Sequence, residues 1–289
     1  VRHPAPEDRE GLREVLFATD LTPESDRTFS HARMLADRFG AHVTLFHAIR
    51  IPRSKSSVVD EEVWRRQENS AREHLALAAE SLSVSPTVVV KRADSVSKSL
   101  VTLVRQARPD LIVMRTHGRA GLAHAVLGSV AERVVEAGQH PLLCVRQPDH
   151  AVALPYRRIL VPTDLTLSSR RAFPMAAALA RGFGAEVLAL HVAPLHEARR
   201  LDRVPELVES KVPSEWVVRE YLLPEFAGLP ISARVEMGSP WETILSIARS
   251  ENADLVVLST HGHDSLGDRV LGSHADQILR HCHCPVLVT

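Results

Sequence analysis

The chain has 289 residues, 45% of them hydrophobic and 24% charged, with 35 Lys+Arg balanced by 35 Asp+Glu. At roughly 150 residues per domain this length fits two domains, and the composition excludes a disordered, collagen-like or disulfide-stapled chain. A formal net charge of zero lacks the basic excess of a general nucleic-acid or acidic-membrane binder, so neither partner is expected.

The elements follow in chain order. Val1 to Gly11 is charged and proline-bearing, without the apolar stretch of a signal peptide. Val15 to Ala18 reads as a short buried strand. Thr22 then offers an N-cap, with Pro23 at the first helical position and Phe29, Ala32, Leu35, Ala36 and Phe39 at helical spacing. Gly40 suits the left-handed residue that ends such a helix. His42 to Ile49 is a strand, Glu61 to Leu82 a helix, Val88 to Lys91 a strand and Val96 to Ala107 a helix. Asp110 to Met114 is again strand, Ser129 to Ala137 helix, and Pro141 to Val145 a last strand. Gln147 to Tyr156, with Pro148 and Pro155, reads as a linker between domains at 12–146 and 157–289.

The second half repeats the first with an offset of 144 residues. Between 16–47 and 160–191, 16 of 32 aligned pairs are identical, where chance gives about two. Thr19-Asp20-Leu21-Thr22 returns as Thr163-Asp164-Leu165-Thr166, His47 as His191, and Asp110 as Asp254. Thr116-His117-Gly118 returns as Thr260-His261-Gly262, and Val126-Leu127-Gly128-Ser129 as Val270-Leu271-Gly272-Ser273. Strands of continuous apolar residues alternating with helices predict parallel sheets covered on both faces. In such doubly wound units ligands sit beyond the carboxyl ends of the strands, where strand order reverses. The residues to watch are therefore Asp20 and Asp164, Ala48 and Val192, and the stretch from Arg115 or Ser259 onward.

Nine residues separate Gly118 from Gly128, with Ser129 opening a helix, and Gly262, Gly272 and Ser273 repeat the arrangement. Glycine lets backbone approach a ligand, and a helix start presents N–H groups and partial positive charge to phosphate. The same serines also fit capping boxes with Glu132 and Asp276. His281-Cys282-His283-Cys284 contains zinc-ligating residue types. Strand alternation would put its cysteines on one face and its histidines on the other, so no metal site is expected. His261-Gly262-His263 is one residue short of the nucleotidylyl-transferase histidine motif and follows the wrong strand. The three cysteines are too few for a disulfide framework, and nowhere do about 18 apolar residues run together, so a reduced, cytoplasmic chain without a membrane span is expected.

The loop Thr116-His117-Gly118-Arg119-Ala120-Gly121 with Leu127-Gly128-Ser129, and its second copy, resembles the universal stress proteins in their tandem form. That family's nucleotide-binding members carry G-x2-G-x9-G-[S/T] after the fourth strand and an aspartate after the first. The resemblance implies two tandem Rossmann-like α/β domains of five parallel strands each, related by a pseudo-twofold, and a homodimer of chains. It implies a stress-response regulator that binds ATP, or AMP or ADP, with none of the machinery of an enzyme beyond slow ATP hydrolysis, and with Mg2+ accompanying the nucleotide. By similarity Asp20 and Asp164 match the ribose-contacting aspartate, Ala48 and Val192 the adenine position, and Gly118, Gly128, Ser129, Gly262, Gly272 and Ser273 the phosphate loop. Arg115 and Ser259 replace the first loop glycine, and His274 stands where a small apolar residue is usual. The alternative function is a nucleotide-free scaffold for a protein partner.

Overall fold

A computed structural model describes residues 11–51, 61–116, 127–137, 140–146, 154–194, 214–260 and 271–289. The chain divides into two compact units, with the change from one to the other between Val145 and Arg146.

Unit one contains β1 (Glu14–Ala18), α1 (Pro23–Phe39), β2 (His42–Arg50), α2 (Glu61–Ala79), β3 (Thr87–Ala93), α3 (Val96–Ala107), β4 (Leu111–Arg115), α4 (Ser129–Ala137) and β5 (Leu142–Val145). Its strands lie in the order β3-β2-β1-β4-β5, and every pair is parallel. β1 is flanked by β2 on one side and β4 on the other, so the sequence order reverses at β1. That reversal opens a crevice at the carboxyl ends of these strands.

The α1 helix shows how local sequence builds the layer. The Thr22 hydroxyl accepts from the Ser25 N–H and Pro23 occupies the first turn, where a missing N–H costs nothing. Gly40 closes the helix at φ 63°, its N–H donating to the Ala36 carbonyl. Ala32, Leu35 and Ala36 are fully buried, and Phe29 packs on Phe17 with ring centroids 5.2 Å apart. Burying a Leu or Phe side chain contributes about 2 kcal/mol, which fixes this helix on the sheet.

Unit two contains β6 (Arg158–Pro162), α5 (Phe173–Phe183), β7 (Glu186–Pro194), α6 (Glu215–Phe226), β8 (Ile231–Gly238), α7 (Pro240–Ser250), β9 (Leu255–Leu258), α8 (Ser273–His281) and β10 (Val286–Val288). Its order is β10-β9-β6-β7-β8, again all parallel, with β6 flanked by β7 and β9. The first helix is not a copy of α1. A 3-10 turn spans Ser169–Ala172 and α5 starts only at Phe173. Pro174 explains the break: it has no N–H to donate to the Arg170 carbonyl, and its ring would clash there, so it sits in the first turn of a new helix. Tyr156, at the end of the expected linker, is fully buried against Phe183 (5.7 Å, edge-on) and belongs to this core.

In both units an aspartate ties the amino ends of the two central strands together. Asp110 Oδ2 accepts from the Arg13 and Glu14 N–H groups (2.8 and 3.0 Å), and Asp254 Oδ2 from those of Arg157 and Arg158 (2.8 and 2.9 Å). No helix among the described residues is long and apolar enough to cross a membrane.

Candidate functional site

The opposite, carboxyl ends of the central strands hold the repeated Thr-Asp-Leu-Thr segments. In unit one Leu21 has φ 58°, a left-handed conformation that costs a branched side chain about 1 kcal/mol or more. Side chains on either side hold it there. The Thr19 hydroxyl accepts from the Leu21 N–H (2.9 Å), and Asp20 Oδ1 accepts from the Thr22 N–H (3.2 Å) and Thr22 hydroxyl (2.7 Å). The buried Ser25 hydroxyl adds a third bond to Asp20 Oδ1 at 2.6 Å. Unit two keeps the same turn, with Leu165 at φ 61° and Asp164 Oδ1 accepting from the Thr166 N–H and hydroxyl at 3.0 and 2.6 Å. Ser169, however, turns away to the Thr163 hydroxyl and the Thr166 carbonyl, both at 2.9 Å.

Partial burial by itself would raise the Asp20 carboxyl. The hydrogen bonds from Ser25 and Thr22, and then the positive charge of Arg115, outweigh that and hold it below the usual carboxylate range. Asp20 is therefore ionised at neutral pH.

Histidine joins the second strand to this turn. His47 Nδ1 donates to the Thr19 carbonyl and His191 Nδ1 to the Thr163 carbonyl, both at 2.9 Å, while Thr19 and Thr163 donate back to Phe46 and Leu190. These histidines were not among the expected site residues, although their recurrence at the same offset was the signal that could have found them. Next to them on β2 and β7 stand Ala48, half-buried and paired with Lys91, and Val192, buried and paired with Glu236.

The fourth strand of each unit ends differently. Arg115 closes β4, and its guanidinium lies 3.7 Å from the Glu24 carboxylate in the first turn of α1. Its side chain is only 18% exposed. In unit two the position is Ser259, and Ser168 stands where Glu24 would be. Beyond the strands, the Gly128 N–H donates to the Thr116 carbonyl and Gly272 N–H to that of Thr260 (2.6 and 2.9 Å). Each glycine carbonyl then accepts the first helical N–H, from Glu132 and Asp276 at 3.0 and 2.9 Å. Gly272 therefore is the N-cap of α8, and Gly128 takes the same place before α4, with Ser129 and Ser273 exposed and one residue inside the helix. The capping boxes are not formed, because the serines stand past the cap and Asp276 instead pairs with Arg280 at 2.7 Å. A Cβ on Gly272 would lie 3.1 Å from the Thr260 carbonyl oxygen, which explains a glycine there. First-turn N–H groups have no partner within their own helix, so both starts are suited to anions.

The strand-end aspartate, the residue two beyond on the neighbouring strand, the end of the fourth strand and the glycine-capped helix start thus meet at one end of each unit. Gly118 and Gly262, with His117, Gly121 and His261 to His263, lie outside the described residues.

Two copies of a five-stranded doubly wound unit with such a crevice define a tandem Rossmann-like α/β protein. The model of the "Universal stress protein family" matches residues 11–146 and again 155–289. The chain belongs to that family. A universal stress protein of Mycolicibacterium smegmatis is 24% identical over 290 residues, covering 95% of this chain and 96% of its own. One of Methanocaldococcus jannaschii is 31% identical over 139 residues, 46% of this chain and 81% of its own. The crystal structure of a universal stress protein from Archaeoglobus fulgidus superposes with a TM-score of 0.69 at 19% identity, covering 95% of this chain and 97% of its own. It shows the fold. Another universal stress protein, 22% identical over 46% of this chain and 96% of its own with a TM-score of 0.35, was crystallised in complex with cAMP.

Proposed function

We propose that this chain is a non-catalytic, cytoplasmic stress-response regulator that binds one adenine nucleotide, ATP or its AMP and ADP relatives, with Mg2+, in unit two. The observation that carries the choice of unit is the contrast at the end of the fourth strand. There unit one has a guanidinium paired with Glu24 and charged against Asp20, and unit two has a serine. In this reading the Asp164 carboxylate accepts from ribose hydroxyls, Val192 lies against adenine, and Ser259 leaves room for the sugar. Gly262, Gly272, Ser273 and the start of α8 would receive the phosphates, and Mg2+ would accompany them to offset their charge. The residues fit such a ligand: an apolar wall, a carboxylate and a glycine-capped helix start lie at one strand-order reversal.

Catalysis finds little support. In unit one the crevice carboxylate has its charge stabilised by hydrogen bonds, and a carboxylate held below its usual pKa is a poor general base. Unit one, with Arg115 closing β4, serves as a scaffold surface for a protein partner or a second copy of the chain. The Arg115–Glu24 pair favours that second role for this unit.

Reciprocal substitutions test the assignment. Ser259→Arg should reduce nucleotide affinity at least about tenfold, the equivalent of 1.4 kcal/mol, and Arg115→Ser should add a second site per chain. Unchanged affinity in Ser259→Arg, or loss of the wild-type site in Arg115→Ser, would place the nucleotide in unit one or nowhere.

A further inference from the structure

The expectation that Cys282 and Cys284 point away from their histidine neighbours fails, because these residues are not in a strand. α8 ends at His281, the Cys282 N–H donates to the Ile278 carbonyl at 2.9 Å, and β10 begins only at Val286. Pro285 blocks a ladder N–H and keeps the residue before it extended, so the chain bends through 283 and 284 before pairing. The bend brings the three side chains together. Cys282 Sγ and Cys284 Sγ are 3.5 Å apart, each residue is 1% exposed, and a His283 ring nitrogen completes a set whose ligand atoms all lie within 4.8 Å of one another. His283 Nδ1 is itself buried, with no hydrogen-bond partner among the described residues.

We propose that Cys282, His283 and Cys284 form a binding site for a zinc-class divalent metal ion, independent of the nucleotide site. Two Zn–S bonds of about 2.3 Å at a tetrahedral angle put their sulfurs about 3.8 Å apart, so the thiols need move only a few tenths of an ångström. A disulfide would need them closer by far, at about 2.05 Å. Charge also favours the ion. Two thiols give up two protons, and two thiolates with one dication make a neutral buried group, where bare thiolates would bear the full cost of desolvation. Water completes the fourth position from the side on which His283 is partly exposed. The fold does not demand these residues, since unit one has Gly138, Gln139 and His140 at the equivalent positions.

The test uses the full chain, reduced and freed of metal under anaerobic conditions, titrated with Co2+ and then Zn2+. One Co2+ per chain should bind with thiolate charge-transfer and tetrahedral visible absorption. One equivalent of Zn2+ should bleach it, and two protons should be released per ion. Cys282→Ser, Cys284→Ser and His283→Gln should each weaken binding by more than the roughly 10–100-fold that loss of an outer-sphere partner costs. Cys144→Ser should leave the spectrum unchanged. His283 is partly exposed, so its variant remains informative if a buried cysteine variant fails to fold. Reduced protein that takes up no Co2+ while its thiols remain titratable would overturn the proposal. So would a spectrum indifferent to His283→Gln and to loss of either cysteine, or uptake of Cu+ with none of Zn2+ or Co2+.

Discussion

Replacing Asp20 by alanine removes the acceptor of three hydrogen bonds, from the Thr22 N–H, the Thr22 hydroxyl and the Ser25 hydroxyl. Hydrogen bonds to a charged group contribute about 1.5–3 kcal/mol each when buried, and here partial exposure lets water replace some of that. Relaxation of Leu21 from its left-handed conformation gives back about 1 kcal/mol. The net loss for unit one is then about 2–3 kcal/mol. Asp164→Ala loses the Thr166 pair, and Ser169 faces Thr163 and Thr166 rather than making the bond that Ser25 makes in unit one, so its cost should be about 1 kcal/mol smaller. The assay is urea denaturation at neutral pH, with Trp64 as reporter for unit one in a background where Trp216 and Trp241 are phenylalanine. The sign with pH follows from the lowered carboxyl. Its contribution is present above the unfolded value of about 3.9 and is lost as pH falls through the folded value, so the Asp20→Ala deficit should shrink below about pH 4. A deficit under about 0.5 kcal/mol, one no larger than that of Asp164→Ala, or one that grows on acidification would refute the reasoning.

Two further outcomes are expected. His31 is buried in α1, and desolvation pushes its pKa down to about 4. Between about pH 6.5 and pH 4 the unfolded chain takes a proton that the folded one refuses, so stability falls across that window by up to about 3 kcal/mol. His31→Met, matching Met175 in unit two, should flatten this acid limb, and parallel urea midpoints for the two proteins at pH 7 and pH 5 would contradict it. Gly272→Ala puts a Cβ 3.1 Å from the Thr260 carbonyl. It should cost about 1 kcal/mol by crowding and weaken nucleotide binding, checked by thermal unfolding and equilibrium dialysis, and a variant as stable and as tightly binding as wild type would remove the reason given for that glycine.

The architecture was legible because apolar runs, helical spacing and caps agreed with one another, as at Thr22-Pro23 and Gly40, and because the repeat supplied each element twice. The repeat alone could not separate roles. Asp20 and Asp110 recur equally well, yet Asp110 ties strands at the end of the sheet remote from the crevice, while Asp20 organises the turn within it. Which end of a strand a residue occupies is a tertiary fact. The break before α5 was readable from Pro174 but was masked by the strong match to α1 around it. The partner of Arg115 was not legible, since Glu24 is remote in sequence and meets it only when α1 packs beside β4. At Cys282 to Cys284 the alternation argument failed because it assumed a strand where Pro285 leaves a bend.

The most direct measurement is a calorimetric titration of the nucleotide-stripped full chain with Mg-ATP, read for stoichiometry. One saturable site per chain is predicted, present in Gly128→Val and lost in Gly272→Val. Absence of heat at several temperatures, together with no thermal shift, would contradict nucleotide binding, and a single site that survives Gly272→Val would contradict its place in unit two.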